Sequence, residues 1–307
     1  MGDQVLPQAD SDQESSERSV RQSVIIGGVE ADDREYVGVN LANWDSRVPH
    51  HAIGYGLDRY RDDPSYLSAV VRFDLPRLPA LTGLDVVHLQ CHIGTDTVSL
   101  ARLGTRSVMG LDFSAPALEV AASLARDAGA DVQFVCAEVY DAVDTLGPES
   151  FDLVFTGIGA LCWLPDVRRW ADVVARLLRP GGRLFIREGH PVLWAMSDPR
   201  NDGLLVVQYP YFETTAGTVF HEETTYVPHE GTLDSPTTRQ WNHGLGEIIT
   251  ALLDAGMDLT SLEEHTSVPW NPLGMLMVQS DEHGGEFVLR SDRERLPMTY
   301  TLQAVRR

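Results

Sequence analysis

Between residues 83 and 190, strand-like apolar runs alternate with amphipathic helical segments, and this alternation constrains the fold more than any other feature of the chain. Residues 84–90 (LDVVHLQ), 106–113 (RSVMGLDF), 132–139 (VQFVCAEV), 151–159 (FDLVFTGIG) and 183–188 (RLFIRE) read as strands. Helical stretches separate them: 96–104, closed by Gly104; 115–129, with Pro116 in its first turn and Gly129 at its end; and 165–182, stopped by Pro-Gly-Gly. Strands and helices at this spacing predict an α/β fold with a doubly wound, mostly parallel sheet.

The chain has 307 residues, enough for one core of about 200–250 residues with appendages. Residues 1–33 are rich in Asp, Glu, Gln and Ser and are expected to form a disordered acidic tail. Residues 34–80 carry aromatic and aliphatic residues at helical intervals and are expected to form a helical cap. The core would run over 81–190, followed by an antiparallel β insertion at 191–235. A last helix and C-terminal strands, 236–307, would complete the sheet.

A formal net charge of −21 argues against a nucleic-acid partner and against anionic membranes, and leaves a small or cationic partner. Lysine is absent, which excludes Schiff-base chemistry and a Walker-type phosphate loop. Cys91, Cys136 and Cys162 are odd in number and widely spaced, so they read as buried free thiols in a reducing compartment. No metal-ligand spacing appears, and no metal is expected. With no apolar run near 18 residues and no leader-like segment in 1–23, a cytoplasmic protein is expected.

In a doubly wound sheet the ligand sits beyond the carboxyl ends of the strands, at the switch point. The first turn there is QCHIGTD. A dinucleotide turn wants G-x-G-x-x-G so that a pyrophosphate can approach the backbone, and here only Gly94 remains. Gln90 and His92 therefore count against NAD or FAD. Asp112 ends the second strand, where an acid can accept hydrogen bonds from both ribose hydroxyls. Its alternative role, capping the next helix, is better filled by Ser114.

These motifs together resemble the core of a class I S-adenosylmethionine-dependent methyltransferase. VVHLQCHIG stands where that family has its aspartate–glycine–cysteine–glycine turn, in what looks like an LQCH-x-G variant. GLDFS matches its ribose acid, CAEVYD its adenine-contacting segment, and FDLVFTGIGALCWLPD and LLRPGGRLFIREGHP its later strands. The resemblance implies a seven-stranded Rossmann-like sheet and S-adenosylmethionine as cofactor, with S-adenosylhomocysteine as product. It places the stretch Leu89, Gln90, Cys91, His92, Ile93 and Gly94 along the methionine and ribose, and Asp112, Phe113 and Ser114 at the ribose. Glu138 and Val139 would lie at the adenine, and Gly157 and Ile158 beneath the cofactor. From the cap, Tyr36 and Trp44 are expected to close over it.

Methyl transfer to a neutral nucleophile builds positive charge, which carboxylates and aromatic faces stabilise. Glu188, His190 and His243 are the candidate catalytic residues. Trp194, Tyr211, Glu222, Tyr226 and Trp241 are the candidate acceptor-binding residues. For Glu188 the competing role is an ion pair with an arginine, and for His243 a structural hydrogen bond. The expected function is methylation of a small-molecule acceptor at N, C or O, such as an indole-like heteroaromatic, in bacterial secondary metabolism. A homodimer is the default expectation. A non-catalytic S-adenosylmethionine-binding protein of the same fold, or an NAD(P)-dependent oxidoreductase, are the alternatives.

Overall fold

A computed structural model describes residues 22–24 and 35–307. Strand β1 (Gln22–Val24) precedes three helices: α1 (Glu35–Gly54), α2 (Asp58–Asp62) and α3 (Ala69–Asp74). The alternating core follows as β2 (Asp85–Leu89), α4 (Thr95–Ala101), β3 (Ser107–Asp112), α5 (Ala115–Asp127), β4 (Gln133–Cys136), α6 (Ala142–Leu146), β5 (Phe151–Thr156), α7 (Val167–Leu177) and β6 (Leu178–Gly189). A short helix α8 (Pro191–Trp194) leads to β7 (Thr218–His221) and β8 (Thr237–Gln240). Then come α9 (Leu245–Asp254), β9 (Met257–His265), β10 (Ser267–Val268), β11 (Met277–Ser280), β12 (Glu286–Leu289) and β13 (Thr299–Arg306).

The central sheet has seven strands in the order β4-β3-β2-β5-β6-β13-β9. Strands β2 to β6 pair in parallel, whereas β13 runs antiparallel to both β6 and β9. This is the mostly parallel, doubly wound sheet expected from the alternation. Successive residues of a strand face opposite sides, and both sides are dry. Val87, Leu89, Val154 and Ile186 pack under Trp170 and Leu177 of α7 and Ile248 and Leu252 of α9. Val86, Leu153, Phe155 and Phe185 pack on the other side with Val71 of α3 and Leu100 of α4. Helix starts follow local chemistry. The Ser114 hydroxyl accepts from Ala117 N–H at α5, and the Asp166 carboxylate accepts from the N–H groups of Arg168 and Arg169 at α7.

Four expectations change. Of the stretch read as a tail, Gln22–Val24 is a strand paired antiparallel with β7; the rest of 1–33 lies outside the described residues. The insertion does not end at 235, because β8 pairs with β7 and closes a three-stranded sheet, β1-β7-β8. A second small sheet, β10-β12-β11, sits between β9 and β13, where only completion of the core was expected. Cys91 and Cys162 are buried and free, but Cys136, at the end of the edge strand β4, is exposed.

Candidate functional site

Where β2, β3 and β5 end, the chain turns over a cavity roofed by α1, the place where an open α/β sheet binds its ligand. The first turn builds its floor. Gly94 has φ 75°, and a Cβ there would sit 2.8 Å from Ala121 Cβ and 3.0 Å from Phe134 Cζ. Gln90 and His92 also have positive φ, 56° and 50°. For residues with a Cβ, that left-handed backbone costs roughly 1–2 kcal/mol each. The turn thus adopts a glycine-like path while keeping two polar side chains in the cavity wall.

Gln90 donates through Nε2 to the Ala160 carbonyl at 3.0 Å, whereas its Oε1 is buried without a partner among the described residues. A buried, unsatisfied acceptor lining a cavity is a place for a ligand donor. Asp112 ends β3 with Oδ1 accepting from Ser114 N–H and Oδ2 from His92 N–H, at 2.9 and 2.8 Å. Burial pushes its carboxyl up to about 6 in spite of those two bonds. Burial also raises Asp96, and Glu138 lines the same space. Burial pushes His88 and His92 down to about 3, so both are neutral near pH 7. Carboxylates and neutral imidazoles make a wall suited to a cationic ligand.

The cap and the insertion form one roof over this space. Asn40 exchanges two hydrogen bonds with the Arg239 backbone, each 2.8 Å, and Asn43 donates to the Ser235 carbonyl at 2.6 Å. Arg47 lies 3.7 Å from Glu222. Farther along α1, His51 bonds His92 on one ring nitrogen and Thr225 on the other. At the mouth the hydroxyls of Tyr55 and Tyr226 meet.

Of the expected cofactor residues, Tyr36, Trp44, Gln90, Cys91, Asp112, Phe113, Glu138, Val139, Gly157 and Ile158 line the cavity. Leu89 is instead in the core, Gly94 serves the turn, and Ser114 caps α5 while donating to Asp45 at 2.6 Å. Of the expected acceptor residues only Tyr226 lines it. Trp194 stacks on Trp270 instead, Tyr211 abuts Gly244, Glu222 faces Arg47, and the buried Trp241 meets the Tyr36 ring edge-on.

The three catalytic candidates are corrected by their surroundings. Glu188 is 3% exposed, and its carboxylate accepts from four backbone N–H groups, those of Gly159, Ala160, Leu161 and Gly189, at 2.6–2.9 Å. It pins the loop after β5 and has no oxygen left for the cavity. His190 caps α8 through Nδ1 and meets Glu264 through Nε2 at 2.8 Å. His243 meets the carbonyls of Leu161 and Leu164 through Nε2, and its Nδ1 lies 2.8 Å from the Glu213 carboxylate. None of the three reaches the cavity. The cavity wall also holds His92 of the first turn and four residues to which no motif assigns a role, Tyr55, His88, Asp96 and Trp163.

Comparison with known proteins agrees with this geometry. Residues 86–182 match the family described as methyltransferase domain. A ubiquinone biosynthesis O-methyltransferase of Cupriavidus pinatubonensis is 35% identical over 111 residues, covering 36% of this chain and 43% of that protein. Methyltransferase GfsG of Streptomyces halstedii is 33% identical over 113 residues, 36% of this chain and 40% of its own length. The chain therefore spans less than half the length of these relatives. Among solved structures, an S-adenosylmethionine-dependent methyltransferase from Mesorhizobium loti superposes with a TM-score of 0.56 at 22% identity. The match covers 78% of this chain and 98% of that one. A 1,6-didemethyltoxoflavin-N1-methyltransferase of Burkholderia thailandensis, with bound S-adenosylhomocysteine, gives 0.51 at 16% identity over 93% and 95%. Residues 86–182 thus match a methyltransferase domain, and the chain shares the fold of solved S-adenosylmethionine-dependent methyltransferases.

Proposed function

We propose that the chain is an S-adenosylmethionine-dependent methyltransferase acting on a small, flat acceptor. One observation carries the reading. A ribose-type acid, Asp112, and an unsatisfied amide oxygen, Gln90 Oε1, share one cavity at the carboxyl ends of the parallel strands. When bound, S-adenosylmethionine supplies an electrophilic methyl on a cationic sulfur. Asp112 would accept from the ribose hydroxyls, and Gln90 Oε1 from the α-ammonium. Glu138 and Val139 would border the adenine, with Gly157 and Ile158 beneath. The carboxylates of Asp96, Asp112 and Glu138 favour a cationic ligand, and Trp44 and Trp163 in the wall supply aromatic faces.

An acceptor of the indole or fused-heteroaromatic kind fits such walls better than a flexible chain. Bacterial secondary metabolism, suggested by the lysine-free composition and the insertion, a cytoplasmic location, suggested by the spaced cysteines, and a homodimer, the commonest assembly, belong to the same proposal. Glu188, His190 and His243 are given no part in the chemistry.

Calorimetry on the full chain with S-adenosylhomocysteine, and with NADP⁺ as control, tests the assignment. The expected result is saturable one-to-one binding of S-adenosylhomocysteine alone. Asp112→Ala should weaken it at least about 150-fold, since two hydrogen bonds to a charged group are lost at about 1.5–3 kcal/mol each. No binding by the parent chain, or equal binding by Asp112→Ala, would overturn the reading.

A further inference from the structure

Three segments far apart in sequence converge on one hydrogen-bonded line beside the cavity. His51 of α1 is fully buried, and its Nδ1 lies 2.8 Å from Nε2 of His92 in the first turn. Its Nε2 lies 2.7 Å from Oγ1 of Thr225 in the insertion. Arg47 Nη1 is 3.4 Å from the same hydroxyl oxygen. The remaining nitrogen of His92, Nδ1, has no hydrogen-bond partner among the described residues, and the ring lines the cavity.

The hydrogens along this line can be assigned by elimination. A guanidinium only donates, so Thr225 Oγ1 accepts from Arg47. Among the described residues the one acceptor within hydrogen-bond distance of the Thr225 hydroxyl is His51 Nε2. With Nε2 accepting, a neutral His51 carries its hydrogen on Nδ1 and donates it to His92 Nε2. A neutral His92 must then carry its own hydrogen on Nδ1. Burial keeps both rings neutral, pushing His51 to about 2 and His92 to about 3. The other direction would leave the Thr225 hydrogen without an acceptor among the described residues.

We propose that His92 is a specificity-determining hydrogen-bond donor of the acceptor site, with His51 and Thr225 positioning its ring so that Nδ1–H faces the cavity. The proposal rests on the methyltransferase reading and narrows it. A fixed neutral donor selects an acceptor that offers a carbonyl oxygen or a ring-nitrogen lone pair. Trp44, edge-on 4.8 Å from His92 and 5.2 Å from Trp163, sets aromatic surface beside that donor, which favours an aromatic acceptor. The left-handed backbone of His92 fits this role, because glycine would adopt it without strain and present nothing.

Long-range ¹H–¹⁵N correlation of the histidine-labelled full chain between pH 6 and 8 tests the line directly, with His51→Gln and His92→Ala used for assignment. The expected His92 signal is neutral, with Nδ1 protonated and Nε2 not. Thr225→Val should convert it to a mixture of tautomers. A protonated Nε2 in the parent, or no change in Thr225→Val, would overturn the positioning scheme.

The donor's target is read in the S-adenosylhomocysteine complex. Adding 4-quinolone, a planar carbonyl heteroaromatic, should shift the His92 Nδ1–H resonance, and naphthalene should not. Equal response to both, or none, would overturn the acceptor role. By calorimetry His92→Ala should bind S-adenosylhomocysteine within about threefold of the parent. A loss beyond tenfold would assign the donor to the cofactor's carboxylate and overturn the proposal. Failure of the parent to bind S-adenosylhomocysteine at all would sink the methyltransferase reading instead, and the tautomer measurement separates the two failures.

Discussion

Gly94, Gln90 and His92 share a left-handed backbone, yet only Gly94 lacks room for a side chain. A methyl at Gly94 would meet Ala121 Cβ, which is fixed to the α5 backbone, and the ring tip of the half-buried Phe134. Gly94→Ala should therefore lose about 2–3 kcal/mol, from φ strain plus overpacking. The check is a lower midpoint in urea at unchanged m-value. An unchanged midpoint would mean that the turn has slack. The sequence made this glycine legible because a strand, a turn and a helix surround it. It also made Asp112 legible, by the strand end it occupies. It could not show that His92 meets His51, since 41 residues separate two rings brought together only by the roof.

At the scale of elements, α1 shows why the roof was only half legible. Its buried face reads Tyr36, Asn40, Asn43, Arg47, Val48 and His51, spaced for one helix face but mostly polar. A search for apolar periodicity passes over such a face, although the i+3 and i+4 spacing of Asn, Arg and His was there to find. Those groups are buried because the insertion supplies their partners. The core strands β2 to β6 and the final pair were legible because they are apolar and flanked by helices. The sheet β10-β12-β11 was not, because its strands are two to four residues long and broken by Pro269, Pro272 and glycines.

Glu188 shows the opposite failure, an acid at the right strand end with a different task. Glu188→Gln leaves one acceptor oxygen for four N–H groups that the carboxylate now satisfies. The loss should be about 2–4 kcal/mol, through unsatisfied buried donors. Amide hydrogen exchange should rise most at residues 159–161. Normal stability and exchange in this variant would remove the pinning role.

Across the whole molecule, one buried polar cluster ties the cap, the central sheet and the second insertion together. Arg187 of β6 is fully buried and makes a bidentate pair with Glu286 of β12, both bonds 2.8 Å. Its guanidinium lies 3.5 Å from the Phe73 ring of α3. Asp74, next in α3, is also fully buried, and neither of its carboxyl oxygens has a hydrogen-bond partner among the described residues. Burial outweighs the attraction of Arg187, already matched by Glu286, and pushes Asp74 up to about 8.

The folded state thus holds a proton on Asp74 that the unfolded chain releases near pH 4. Folding then takes up a proton between about pH 4 and 8. Stability should fall as pH rises through that window, by up to about 1.4 kcal/mol per pH unit, and level off above it. Asp74→Asn carries a neutral group of the same shape at every pH and should lose that slope. The variant should equal the parent near pH 4–5 and exceed it at pH 8, by urea unfolding at each pH. A variant less stable than the parent at pH 8 would mean instead that an ionised Asp74 pairs with Arg187. The cluster would then hold the three segments by charge, not by a neutral acid accommodated beside an existing ion pair.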